Sequence, residues 1–128
     1  MKPERKFWLD LKKMTPTIRW TRIENLALPG IPDLLGYNKN QHFFTVELKV
    51  TRGNKIRFSP HQIAFHVAHP KNTYILVKSL ASSQVKLYEG SCILQLAARG
   101  LKLYEELSDD ACCSGLEACC SLLEDLPA

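Results

Sequence analysis

Residues 42–51 read HFFTVELKVT and form the most regular strand pattern in the chain. Successive side chains of a strand point to opposite faces, so Glu47 and Lys49 share one face while Leu48 lies on the other. A charged pair in so apolar a strand is costly unless its charges are paired or bound to an ion. The stretch therefore predicts a central strand that carries a polar site on one face.

A second acidic residue lies upstream, next to a segment rich in turn-forming residues. Residues 28–32 read LPGIP, and Asp33 then begins a short predicted strand. Residues 38–40 read NKN and predict a turn between this strand and residues 42–51. A hairpin of this kind would place the carboxylate of Asp33 beside that of Glu47.

Two carboxylates at such a distance repel each other, and a hard divalent cation relieves that repulsion. Mg²⁺ prefers oxygen ligands and keeps several waters, so Asp33 and Glu47 are the expected metal ligands. A water whose pKa is lowered by the ion can attack phosphorus. Lys49 is expected to orient that water or to stabilise the developing charge. The three side chains therefore predict a metal-dependent phosphodiester hydrolase.

Hydrophobic patterns elsewhere predict helices and further strands around this hairpin. Apolar residues recur at helical spacing near the N-terminus, and Ser59 followed by Pro60 marks the start of a second helix. The predicted helices cover residues 4–14, 59–69 and 91–100, and the predicted strands cover residues 17–23, 33–37, 42–51, 73–80 and 85–88. This order, α-β-β-β-α-β-β-α, predicts an α/β fold with a central mixed β-sheet flanked by helices.

The C-terminal segment has a different pattern. Five side chains repeat there with heptad-like spacing: Cys112, Leu116, Cys119, Leu123 and Leu126. The pattern predicts an amphipathic acidic helix over residues 108–126, which would pack on the core, pair with a second copy or fray. The chain is accordingly divided into a catalytic domain, residues 1–100, and an acidic C-terminal helical extension, residues 101–128.

Charge is distributed unevenly along the chain. Residues 1–100 carry 16 Lys and Arg against 6 Asp and Glu, a balance of +10, whereas residues 101–128 carry 1 against 7, a balance of −6. The positive charge of residues 1–100 favours binding to a polyanion such as DNA, because each neutralised phosphate releases counterions. An ordinary solvated surface is the alternative. The residues expected to contact DNA are Arg5, Lys6, Arg22, Arg52, Lys55 and Arg57.

The composition disfavours several other classes of protein. Five cysteines, mostly near the C-terminus, predict free thiols rather than a disulfide framework. The histidines of the helix at residues 59–69 are expected to be packed or solvated, since a zinc site gathers ligands from several elements. No apolar run reaches the roughly 20 residues of a membrane span, and the first residues carry no secretory pattern. We therefore expect an intracellular, cytoplasmic location, or the host cytoplasm for a viral protein.

The pattern Pro32-Asp33, followed after thirteen residues by Glu47-Leu48-Lys49, resembles the PD-(D/E)xK nuclease superfamily. The resemblance covers residues 4–90. It implies a restriction-endonuclease-like core and the activity of a metal-dependent endodeoxyribonuclease. It also implies Mg²⁺ as the cofactor, with Mn²⁺ as its expected substitute.

Two groups of that superfamily are similar to the chain. The archaeal and phage Holliday-junction resolvases begin their first helix with Glu-Arg, as Glu4-Arg5 does here. This resemblance implies that Glu4 adds a catalytic carboxylate, that the substrate is branched DNA and that the protein is a homodimer. Glu24, which is closer in sequence to Asp33, is the alternative third carboxylate.

The second group is the virus-type replication-repair nuclease domain. Its Gly-x-Pro-Asp and Ser-Pro-x-Gln patterns are similar to residues 30–33 and 59–62 of this chain. That resemblance implies that Gln62 faces the metal site and assists catalysis, and that the substrate is a flap or a nicked duplex.

The sequence thus predicts a Mg²⁺-dependent, structure-specific DNA endonuclease, most similar to a Holliday-junction resolvase. One alternative is a flap- or nick-directed nuclease, and another is a DNA-binding module without catalysis. A third makes the acidic C-terminal helix the functional part, as a docking segment for a partner.

Overall fold

The computed structural model describes residues 1–23, 29–101 and 111–127. Within these ranges the helices are α1 (Pro3–Met14), α2 (Pro60–Ala68), α3 (Ile93–Arg99) and α4 (Leu116–Asp125), and a short 3₁₀ turn spans Gly90–Cys92. The strands are β1 (Arg19–Arg22), β2 (Leu34–Tyr37), β3 (Phe43–Thr51), β4 (Thr73–Ser79), β5 (Val85–Glu89) and β6 (Ala111–Ser114).

The six strands form one mixed sheet whose spatial order, β1 to β6, follows the chain. β3 and β4 are parallel, and every other neighbouring pair is antiparallel. A parallel pair needs a crossover connection, and α2 provides it between β3 and β4. Because of this crossover, α2 lies close to one face of the central strand.

One face of the sheet is covered by α1 and α4. In α1 the apolar residues Phe7, Trp8 and Leu11 recur at helical spacing and are buried. They share a hydrophobic cluster with Leu48 of β3 and Leu123 of α4. Leu48 therefore lies on the face opposite Glu47 and Lys49, as the strand period predicts.

The other face carries α2 and α3. Its hydrophobic cluster takes sheet residues from β4 and β5, including Ile75 and Val77, and helix residues such as Leu96. In the parallel register Glu47 lies beside Ile75 and Lys49 beside Val77. The two charged residues of β3 therefore lie at the margin of this second cluster, near α2.

The predicted α/β fold with a central mixed sheet flanked by helices is confirmed. The C-terminal prediction is partly wrong for the described residues from 111 onward, because residues 111–114 form β6 and the helix spans Leu116–Asp125. Gly115, with φ +90°, separates the two elements. The strand forms because β5 offers a free edge whose backbone groups pair with β6. Residues 102–110, which belong to the predicted extension, lie outside the described residues.

α4 packs on the core through Cys119, Cys120 and Leu123, all of them buried. Its C-terminal carbonyls are bound by the β2–β3 turn, where the Asn38 side chain donates hydrogen bonds to Leu123 O at 3.0 Å and Leu126 O at 2.8 Å. Packing on the core is therefore the outcome among the three that the sequence left open. The division into a domain at 1–100 and an extension at 101–128 stays a prediction.

Within the described part of the chain, no helix has the length and apolarity that a transmembrane segment needs.

Candidate active site

The two predicted metal ligands lie next to each other at the β2–β3 pair. Leu34 is opposite Val46 in the antiparallel register, so Asp33, one residue earlier, is next to Glu47. The backbone N–H of Leu48 donates a hydrogen bond of 2.9 Å to Asp33 Oδ2. This bond crosses from one strand to the other and holds the Asp33 carboxylate toward β3.

Glu47 is a buried carboxylate with one unpartnered oxygen. Its residue is only 2% exposed. Gln62 Nε2 donates a hydrogen bond of 2.9 Å to Glu47 Oε1. Within the described residues, Glu47 Oε2 is buried and has no hydrogen-bond donor. Asp33 is itself an acceptor when ionised, so it can satisfy that oxygen only while the pair retains a proton.

Burial and the neighbouring charges raise the pKa of Glu47 to about 9. Burial is the largest cause, followed by the negative charge of Asp33 and a hydrogen bond to it. The ammonium of Lys49 opposes the rise, and the carboxylate of Glu4 adds to it. The pair therefore retains a proton near neutral pH, and a divalent cation would replace that proton.

Lys49 lies on the same face and is held by Gln62. Its Nζ donates a hydrogen bond of 3.0 Å to Gln62 Oε1, and it lies 5.1 Å from the centre of the Phe58 ring. A cation at this distance is attracted to the electron-rich face of the ring. The ammonium is therefore fixed from two sides.

Gln62 takes this position because of how α2 begins. Ser59 is the N-cap, and its Oγ accepts a hydrogen bond of 3.1 Å from the Gln62 backbone N–H. In return the Ser59 N–H donates to Gln62 Oε1 at 2.9 Å, which completes a capping box. The amide oxygen thus serves the helix start and Lys49 together, while the amide nitrogen serves Glu47.

Asp33, Glu47, Lys49 and Gln62 form the floor of an open cleft of about 740 Å³. Glu4 at the start of α1 lines the cleft together with Asp33 and Glu47. The basic loop after β3 also lines the cleft, with Arg52, Lys55 and Arg57, all exposed. The cleft therefore has an acidic floor and a cationic rim.

The basic loop is fixed through its backbone. Asn54 O accepts a hydrogen bond of 2.8 Å from the Leu101 N–H. Gly100, with φ +63°, allows this close approach, because a Cβ at that position would collide with the carbonyl of Asn54. The loop is thus braced by the end of α3 while its charged side chains remain in solvent.

A second, smaller cleft of about 260 Å³ lies on the other side of Asp33. Lys2, Arg5 and Arg22 line it, together with Glu4. Of the remaining residues expected to contact DNA or complete the site, Lys6 is exposed and lines neither cleft. Glu24 lies outside the described residues, so the choice between Glu4 and Glu24 remains a prediction, with Glu4 placed in the cleft.

Among the described residues, no group of three or more His, Cys, Asp or Glu side chains has the geometry of a complete metal site. Mg²⁺ does not need one, since it is commonly bound by one or two carboxylates, several waters and a substrate phosphate. Asp33 and Glu47 fit this requirement, because they are adjacent acids and one buried oxygen of Glu47 has no donor among the residues that the structure describes. The donor set is that of a hard cation.

One of the three histidines on or next to α2 is packed in the core. His66 is buried, its ring Nδ1 lies 2.9 Å from Gln62 O, and burial lowers its pKa. Since a carbonyl oxygen only accepts, Nδ1 carries the proton of the neutral ring. His66 is therefore a packed histidine, as the sequence predicts.

Two residues near the site were not predicted from the sequence. Phe58, beside the Lys49 ammonium, is the apolar residue before a helix N-cap, a position that often packs against its own helix. Lys2 lines the smaller cleft and directly precedes α1. The signal for both was the helix start itself, which predicted the helix boundary without showing which strand the flanking side chains would meet.

No protein-family model and no curated protein sequence matches this chain. Among solved structures the chain is similar to Hjc of Archaeoglobus fulgidus, a Holliday junction resolvase from an archaeal hyperthermophile, with a TM-score of 0.51. The match covers 69% of this chain and 74% of that chain, at 15% sequence identity. At this identity the likeness concerns the fold. The chain therefore shares the fold of this structure.

Proposed function

We propose that this protein is a Mg²⁺-dependent, structure-specific DNA endonuclease of the PD-(D/E)xK superfamily, most similar to a Holliday-junction resolvase. The observation that carries the proposal is the Asp33–Glu47 pair, with Lys49 beside it, on the floor of a cleft rimmed by cationic side chains. A surface that only binds DNA gains nothing from two acids facing a phosphate. The non-catalytic alternative is therefore the weaker one.

The proposed roles follow from the contacts of each side chain. Asp33 and Glu47 would hold Mg²⁺, which when bound supplies a Lewis acid that lowers the pKa of water and offsets phosphate charge. Lys49, fixed by Gln62 and Phe58, would donate a hydrogen bond to the attacking water or to a phosphate oxygen. Water would lose a proton to the solvent and form a bond to phosphorus, the bond from phosphorus to the leaving oxygen would break, and that oxygen would take up a proton from the solvent.

The cationic residues would hold the DNA backbone on both sides of this centre. Arg52, Lys55 and Arg57 would contact phosphates along the larger cleft, while Arg5 and Arg22 would do so at the smaller one. Lys6 would add to the basic surface beside α1. Mn²⁺ as a substitute metal, a homodimeric state and an intracellular, cytoplasmic location complete the proposal.

A flap- or nick-directed nuclease of the virus-type replication-repair group is the second candidate. It is favoured by the contacts of Gln62, which reaches both Glu47 and Lys49 from a Ser-Pro-x-Gln helix start. The two candidates share the same chemistry and differ in the shape of the DNA.

The test compares labelled four-way, flap, nicked and linear DNA with Mg²⁺ or with EDTA. Asp33→Ala and Lys49→Ala are expected to lower the cutting rate at least about hundredfold while sparing DNA binding measured in Ca²⁺. Asp10→Ala and Lys13→Ala, matched changes on α1 away from the clefts, are expected to leave cutting unchanged. Full activity in both site variants, or cutting that persists in EDTA, would overturn the proposal.

A further inference from the structure

Two aromatic side chains lie together on the sheet beyond the cleft. Tyr37 of β2 and Phe43 of β3 are cross-strand partners, and their ring centroids are 4.5 Å apart with a tilt of 46°. Phe43 is 59% exposed. A large aromatic ring left so open to water is a surface that a planar apolar partner could cover.

The aromatic pair shares a face with the proposed catalytic residues. Alternation along β3 puts Phe43, Thr45 and Glu47 on one side. At about 3.3 Å per residue, Phe43 is about 13 Å from Glu47 along the strand. That span equals about four base steps of a stacked DNA strand. A DNA strand that ran along β3 from the carboxylates would therefore reach Phe43 within about four nucleotides.

The described residues leave most of the Phe43 ring uncovered, whereas further along β3 the helix α2 reaches the strand through the bond from Gln62 to Glu47. On the β1 side of the same face, Arg19 pairs with Tyr37 and is exposed. An aromatic pair with an arginine beside it offers stacking and a phosphate contact together.

We propose that the Tyr37–Phe43 pair stacks with an unpaired nucleobase of the DNA substrate, with Arg19 beside its phosphate. The inference rests on the proposed nuclease function for the path of the strand. Stacking on an aromatic side chain tolerates any base, because every base has a π-face. In a continuous duplex both faces of each base are already stacked on neighbours. The pair would therefore favour DNA that has unpaired or splayed nucleotides, as branches and flaps do.

A second copy of the chain is the competing occupant of this surface. The charge of the molecule favours DNA, because Arg19 lies on this face and the whole chain has a net charge of +4. Like-charged surfaces repel each other, whereas a polyanion is attracted. A nucleic-acid strand satisfies both the aromatic and the cationic part of the surface.

The experiment measures binding in Ca²⁺, so that it does not depend on cutting. The probe is a flap DNA with 2-aminopurine in the unpaired strand, and the reference is a fully paired duplex of the same sequence. Phe43→Ala and Phe43→Leu are expected to weaken flap binding about tenfold and to remove the change in 2-aminopurine fluorescence. Duplex binding should be unchanged, and Phe43→Trp should restore flap binding.

Leu94→Ala is the matched control, because Leu94 on α3 is also 59% exposed and lies away from this surface. Equal losses on flap and duplex, or no loss on the flap, would overturn the inference. So would a change from dimer to monomer in the Phe43 variants, measured by light scattering, since it would assign the surface to a second copy.

The outcome separates this inference from the proposed function. Phe43-dependent binding by a wild-type protein that never cuts DNA in Mg²⁺ would leave the inference and refute the nuclease. Cutting in Mg²⁺ together with unaltered flap binding in Phe43→Ala would support the nuclease and refute the inference.

Discussion

Glu47 has a pKa far from that of an ordinary surface acid. It is buried beside a second carboxylate, and these surroundings raise its pKa to about 9. Near neutral pH, Glu47 of the folded protein without a divalent cation therefore keeps a proton that it would lose in the unfolded chain. The site is thus strained electrostatically in its fully ionised form.

This difference predicts a pH dependence of stability in EDTA. The pKa of Glu47 is higher in the folded protein than in the unfolded chain. Its contribution to the free energy of unfolding is therefore fully present below the ordinary carboxyl pKa of 4.5 and is lost as the pH rises through about 9. The melting temperature of the wild type should therefore fall as the pH rises through this range, and that of Glu47→Gln should fall less. Thermal unfolding over a pH series measures this. Identical slopes in the two proteins would contradict the prediction.

The relative positions of the main side chains of the site could be predicted from the sequence. Strand alternation put Glu47 and Lys49 on one face, and a hairpin put Asp33 beside Glu47. The position of Glu4 at the same cleft depends on how α1 crosses the sheet, which no local pattern records. The contact of Phe58 with Lys49 likewise depends on tertiary packing.

Among the elements, α2 connects fold and site most directly. Its capping box fixes Gln62, whose amide then reaches Glu47 and Lys49. The helix start and the positioning of the candidate catalytic side chains therefore share one residue.

Two substitutions separate these roles. Ser59→Ala removes the cap hydroxyl but leaves the Gln62 side chain, so it should cost about 1 kcal/mol of stability and keep most of the cutting rate. Gln62→Ala breaks the same capping box and also frees Lys49, so the cutting rate should fall at least about tenfold. Melting temperatures and single-turnover rates give both readouts. Equal loss of cutting in both variants would assign the effect to the helix start alone.

Element boundaries agree with the sequence prediction where a segment is ruled by its own periodicity, as in α1, α2 and β3. β6 was missed for a physical reason. Residues 111–114 become a strand because β5 leaves an edge to pair with, and that partner is far away in sequence. The heptad-like spacing instead joined Cys112 to Leu116 as if one helix carried both.

In the whole molecule, the acidic C-terminal part completes the sheet and the core. β6 pairs with β5, and Leu123 of α4 and Leu126 directly after it are buried in the core. The apolar face of α4 is therefore occupied within its own chain, which leaves its exposed acidic residues as the part available to a partner.

Removal of residues 111–128 is accordingly expected to destabilise the fold. Burial of each leucine contributes about 1.5–3 kcal/mol, a large share of the 5–15 kcal/mol typical of a whole domain. The truncated chain should melt at a much lower temperature or lose solubility, as circular dichroism and size-exclusion chromatography would show. Glu117→Gln, on the exposed side of α4, is the control that should melt like the wild type. A truncated chain with an unchanged melting temperature would contradict this expectation.

The parallel pairing of β3 with β4 has a consequence for how the protein gains activity. The chain can join these strands only by passing over one face of the sheet, and the connecting segment bears Gln62. The crossover connection and the floor of the cleft then form at the same time during folding. During refolding from denaturant, recovery of DNA cleavage should follow the same time course as recovery of the native sheet, with no separate later step.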